Sequence, residues 1–84
     1  MDVRPQIREA RLELGLSLRE VADLCAISYE SVRRIESATQ WPSYETAIKL
    51  VDGLDLRMDP VDLIHPASRD SLRQSVAHIF SLDL

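Results

Sequence analysis

The sequence predicts an all-helical domain, and three observations carry that prediction. Apolar residues recur three and four positions apart over successive short windows, the spacing that lines one side of a helix. Side chains suited to helix N-termini stand just ahead of these windows, among them Ser17, Ser28, Ser43 and Asp59. No run alternates apolar and polar residues between hairpin turns, so strands have no support.

The first helix is expected from about Val3 to Leu14. Pro5 falls in its first turn, where the missing backbone donor is harmless, and Gly15 stands just past its end. Ile7, Ala10 and Leu14 share the inward face and leave Arg8 and Arg11 outside. The second helix opens on Ser17-Leu18-Arg19-Glu20, in which the Ser17 hydroxyl accepts from the backbone three residues on while Glu20 reaches back to the Ser17 amide. Leu18, Val21, Ala22 and Cys25 then face inward, and Ala26-Ile27 leads to Ser28, the cap of a third helix running through Glu36. After a break over Ser37 to Pro42, Ser43 caps a fourth helix with Ala47, Ile48, Val51 and Leu54 inward. Asp59-Pro60 starts a short fifth with Val61 and Ile64 inward. Beyond His65-Pro66, an amphipathic segment from about Ser68 to Phe80 places Leu72, Val76, Ile79 and Phe80 on one face. The expected division is a core domain over residues 1–66 and a C-terminal helix over 67–84.

Composition narrows the functional classes. A chain of 84 residues is expected to form one domain with a thin stability margin, without room for a separate sensor domain. With 45% apolar and 29% charged residues it is a folding sequence, not a disordered tail. The lone Cys25 excludes an internal disulfide framework and is expected as a small core residue. No stretch has the length and apolarity of a signal peptide or a membrane span, so a cytoplasmic location is expected. A formal charge of -4 argues against a non-specific nucleic-acid coat, whose grip comes from Lys and Arg on phosphate. The charge is uneven: residues 1–41 hold six Arg against seven acids, and residues 42–84 hold four basic residues against seven acids. The N-terminal half is therefore the better candidate for a face that meets phosphate.

Two short helices joined by about three residues meet the demands of a pair that reads DNA. Such a pair needs a small residue at the helix contact, here Ala22, a tight turn, here Ala26, and apolar side chains that lock the second helix across the first. Val21, Cys25, Ile27, Val32 and Ile35 fill those locking positions, leaving Tyr29, Glu30, Arg33 and Arg34 outside. Over about Ile7 to Ile64 the chain resembles the lambda-repressor/Cro-like helix-turn-helix family, also called the xenobiotic response element type. The resemblance rests on Ile7-Arg8-Glu9-Ala10-Arg11, on Gly15 to Ala22, on Ser28 to Glu36 with its Arg34-Ile35-Glu36 ending, and on Pro42-Ser43. It departs from the family at Ala26 and Ala38, where glycine is usual.

The resemblance implies a five-helix domain whose third helix enters the major groove, with Tyr29, Glu30 and Arg34 at base edges. Arg34 suits bidentate pairing with guanine and Glu30 suits a cytosine amino group, although Glu30 equally suits plain support of the helix N-terminus. Tyr29 suits a base, a phosphate or a thymine methyl. Backbone contacts map onto Ser17, Arg19, Ser28, Thr39 and Gln40, with Arg33 and Arg11 adding phosphate contacts. Trp41 is expected chiefly as a lid between helices, and secondly as a phosphate donor. The surplus apolar face of Leu72, Val76, Ile79 and Phe80 suits a homodimer on a palindromic operator, as in a Cro-like phage repressor or a small autoregulator. The competing reading is an antitoxin or protein-interaction module that binds a partner protein through that helix. No enzyme, cofactor or metal is expected: there is no nucleophile with a base and no phosphate-binding glycine loop, and His65 and His78 lack neighbours at ligand spacing.

Overall fold

A computed structural model describes residues 2–69. Its elements are α1 (Pro5–Glu13), α2 (Leu18–Cys25), α3 (Tyr29–Glu36), α4 (Tyr44–Gly53) and a 3-10 turn, Pro60–Leu63. The domain is all-helical as expected, and residues 66–69 begin another helical turn. The segment 70–84, with Leu72, Val76, Ile79 and Phe80, lies outside the described residues, so the expected C-terminal helix is not described.

The helices begin where serine can satisfy their first free amides. Ser17 accepts from Glu20 N at 3.1 Å while Glu20 Oε1 accepts from Ser17 N at 3.0 Å, which completes the capping box. The second of these contacts, the Ser17 backbone amide donated to the carboxylate, is the main reason the Glu20 carboxyl sits below its ordinary pKa. Ser28 and Ser43 cap α3 and α4 through Ser31 N and Thr46 N.

The helices also end alike. At each of the four C-termini one residue turns left-handed: Gly15 (φ 68°), Ala26 (57°), Ala38 (61°) and Asp55 (52°). The following amide then reaches back five residues, in Leu16 N to Arg11 O, Ile27 N to Ala22 O, Thr39 N to Arg34 O and Leu56 N to Val51 O. These are Schellman closures. In three of them the reaching residue is apolar, and Leu16, Ile27 and Leu56 pack against the core. The two alanines at which the sequence departs from the family therefore keep the backbone angle that glycine would supply.

The core consists of Ile7, Val21, Ala22, Cys25, Val32, Ile35, Ala47, Leu50, Leu54, Leu63 and Ile64. Val21, Ala22 and Cys25 of α2 meet Val32 and Ile35 of α3, as the spacing requires. Three inward positions differ from expectation. Leu14 is 55% exposed: its amide still bonds Ala10 O in the helical ladder, but it stands two turns beyond Ile7, the buried residue of α1. In α4, Ile48 stands at 37% exposure and Leu50 is fully buried in its place. In the 3-10 turn Leu63 is fully buried and Val61 only half-buried, while Ile64 is buried as expected.

Gly53 lets α2 and α4 approach closely. A Cβ there would stand 2.5 Å from Cys25 Sγ and 3.4 Å from Cys25 Cα. Burial pushes the Cys25 thiol pKa up, which suits a packing residue and not a nucleophile. At the described end, Arg69 donates to the Ile64 and Asp62 carbonyls and closes the 3-10 turn.

The left-handed alanines make a stability prediction. Left-handed strain costs an L-residue about 1–2 kcal/mol, and glycine gives back about 0.5–1 kcal/mol in backbone entropy. Ala26→Gly and Ala38→Gly should each raise stability by roughly 0.5–1 kcal/mol, read as a higher urea midpoint at unchanged slope. A lower midpoint in both would contradict the strain.

Candidate nucleic-acid interface

The face of α3 opposite Val32 and Ile35 carries Tyr29, Glu30, Arg33 and Arg34, all exposed. This follows from the helical period, since Val32 and Ile35 are fully buried and occupy the inward positions. Ser17 and Arg19 at the start of α2, Ser28 at the start of α3, and Thr39 after it are also exposed, while Gln40 is half-buried. The guanidinium of Arg19 lies 5.2 Å from the centroid of the Tyr29 ring and joins the starts of the two helices into one polar edge. The structure thus brings the expected base-reading residues onto one helix face and flanks them with most of the expected backbone contacts.

Arg11 does not join that surface. Its Nε and NH2 donate to the Glu36 carboxylate, with the closest contact at 2.9 Å, and its NH1 donates to the Leu16 carbonyl at 3.0 Å. The two side chains are only 14% and 7% exposed. The phosphate contact expected of Arg11 thus gives way to an internal tie between α1 and α3, because all three guanidinium nitrogens are engaged. Arg4 is internal as well, at 6% exposure. It pairs with Asp2 at 2.8 Å, donates to Gln40 O at 3.1 Å and lies 3.6 Å from the centroid of the Trp41 ring. The Arg4 contact holds the Asp2 carboxyl below its ordinary pKa. Trp41 is half-buried between Arg4 and His65, whose ring meets it edge-on at 5.5 Å, and so acts as the lid. No spacing rule pointed to Arg4, whose partners Gln40 and Trp41 are far along the chain.

The loop after α3 is held from the helix end. Thr39 and Ser37 hydroxyls both donate to Arg34 O, at 3.2 and 3.1 Å, and stand 3.1 Å from each other. Arg34 is thereby fixed at its carbonyl while its side chain remains outward and 53% exposed.

A helix-turn-helix family model matches residues 7–61, which span α1 through the start of the 3-10 turn. The chain belongs to the lambda-repressor/Cro-like helix-turn-helix family. Among curated relatives, one provisionally named HTH-type transcriptional regulatory protein of Aeropyrum pernix is 40% identical over 60 residues, covering 70% of this chain and 18% of that protein. Another of the same name from Methanothermobacter thermautotrophicus is 33% identical over 67 residues, 79% of this chain and 22% of that protein. The chain thus spans about a fifth of the length of these relatives. No solved structure matches it. No helix among the described residues is long and apolar enough to cross a membrane.

Breaking the internal tie should unseat α3. Glu36→Ala leaves Arg11 buried without its partner and should cost on the order of 3–5 kcal/mol in urea unfolding. Glu36→Gln retains an acceptor and should cost less. A double-mutant cycle with Arg11→Met should show coupling above about 0.5 kcal/mol, and a smaller value would mean the pair is not a unit.

Proposed function

We propose that the protein is a sequence-specific DNA-binding transcriptional regulator that inserts α3 into the major groove. The observation that carries this reading is the outward set of Tyr29, Glu30 and Arg34 on a helix locked from behind by Val32 and Ile35. An α-helix fits the major groove, where each base pair presents its own pattern of donors and acceptors. Arg34 meets guanine O6 and N7 with two parallel donors, Tyr29 stands at the neighbouring base or phosphate, and Glu30 faces a cytosine amino group. Ser17, Arg19, Ser28, Arg33, Thr39 and Gln40 set the register on the phosphates and carry no sequence information. Arg11 has no part in this surface.

In this proposal two copies act together on an inverted repeat, with their recognition helices about 34 Å apart. The apolar stripe Leu72, Val76, Ile79 and Phe80 is the proposed dimer contact, and binding at an operator represses transcription as in a small autoregulator or a Cro-like phage repressor. With Arg4 and Arg11 internal, Arg19, Arg33 and Arg34 remain as the arginines of the proposed interface, so one protomer's electrostatic grip is modest. Pairing doubles it. The family membership and the printed names of the two relatives support the same reading.

Selection from a pool of random duplexes tests the proposal, using the wild type beside Arg34→Ala, with binding at two salt concentrations and mass in solution. An enriched inverted repeat is expected. Arg34→Ala should lose about 1–3 kcal/mol on the enriched site and relax the preference at one guanine in each half. Absence of any enriched sequence at low salt would end the DNA-reading proposal and favour a protein partner for the C-terminal segment.

A further inference from the structure

The recognition face holds a charge arrangement that sequence-specific contact alone does not require. Glu30 Oε1 accepts from Arg33 Nε at 3.1 Å, from Arg33 NH2, and from Arg34 Nε at 3.2 Å. One carboxylate oxygen therefore engages two guanidinium groups, one a turn and the other slightly less than a turn along the same helix face. All three side chains are about half exposed, at 48%, 49% and 53%. The Glu30 carboxyl lies below its ordinary pKa, chiefly through the Arg33 hydrogen bond, so it is ionised at neutral pH.

We propose that Glu30 is a specificity-determining residue that acts as a tethered counterion, holding Arg33 and Arg34 against indiscriminate contact with phosphate. The proposal rests on the DNA-binding reading and goes beyond it, because it assigns Glu30 a role on every DNA sequence and not only at one cytosine. Sequence-independent binding scales with the phosphate charge that a protein neutralises. Two arginines and a carboxylate on one face present one net positive charge where the arginines alone would present two. A phosphate approaching either arginine must displace the carboxylate or lie beside it, and like charges repel. A guanine edge offers neutral acceptors, so Arg34 can satisfy it while Glu30 stays close. The carboxylate therefore disfavours backbone contact more than base contact, and the difference appears as discrimination.

Glu30→Gln isolates the charge, since glutamine keeps the shape and an acceptor. Glu13→Gln is the control: it makes the same charge change on α1, beside a groove formed with residues 54–58 and away from the recognition face. Binding of the 84-residue wild-type chain and both variants is measured on a mixed-sequence duplex and on the duplex enriched by selection, over a range of salt concentrations. On the mixed duplex Glu30→Gln should bind roughly fivefold tighter at low salt. Its plot of log affinity against log salt should steepen by about one, the change expected for one more effective phosphate contact. Its preference for the enriched duplex should fall, and Glu13→Gln should match the wild type. An unchanged slope for Glu30→Gln would overturn the proposal, as would an equal rise in Glu13→Gln, which marks a net-charge effect. Loss of preference at a single base pair with unchanged mixed-duplex binding would assign Glu30 to base readout alone and overturn it too. All three results leave the DNA-binding reading standing. If the wild type binds neither duplex at low salt, that reading itself fails, which separates the two ideas.

Discussion

The bidentate ion pair between Arg11 and Glu36 sets where the exposed face of α3 points. Glu36 is the last residue of α3, and Arg11 lies in the last turn of α1, so the pair fastens two helix ends that share no turn. Arg11 also donates to Leu16 O, just beyond the left-handed Gly15 that ends α1. One guanidinium thus joins the end of α1, the approach to α2 and the end of α3. Burying such charges is costly, and the parallel donors to one carboxylate are the geometry that offsets the cost best. The apolar contact of Val21, Ala22 and Cys25 with Val32 and Ile35 then holds α3 from behind. Between the tie and the core, the outward direction of Tyr29, Glu30 and Arg34 is determined without any ligand.

Features made by neighbours in sequence were legible; those made by distant residues were not. The serine caps and the capping box involve side chains and amides three residues apart, so composition and spacing reveal them. The inward faces of α2 and α3 were legible for the same reason, since each short helix keeps one period throughout. Arg11 looked like a phosphate ligand because periodicity puts it off the apolar face and says nothing about an acid 25 residues away. Arg4 was silent for a similar reason, its carbonyl partner being 36 residues distant. Leu14 was misplaced because the helical phase it shares with Ile7 does not say how far along α1 the core extends, and Leu63 was missed because a turn of four residues is too short to display a period.

The outer face of α3 was read correctly as exposed, yet its internal chemistry was not. Helical spacing places Glu30 within reach of both Arg33 and Arg34, but which carboxylate oxygen they share is a matter of rotamers. The structure adds that the face is partly neutralised before any partner arrives. It also shows that the arginines of the N-terminal half divide by task. Arg4 and Arg11 stiffen the scaffold, while Arg8, Arg19, Arg33 and Arg34 stay outside. Counting arginines in the sequence therefore overstates the positive charge available for phosphate.

Trp41 is the only tryptophan of the chain, and its indole lies against a guanidinium on one side and an imidazole edge on another. It directly follows Gln40, whose carbonyl holds Arg4, so its surroundings register both the seating of the N-terminal strand of chain ahead of α1 and the posture of the loop behind α3. Indole emission is sensitive to adjacent cations and to the protonation of a neighbouring imidazole. The domain consequently contains its own optical reporter, lodged between the start of α1 and the loop behind α3, and needs no attached dye to reveal movement there.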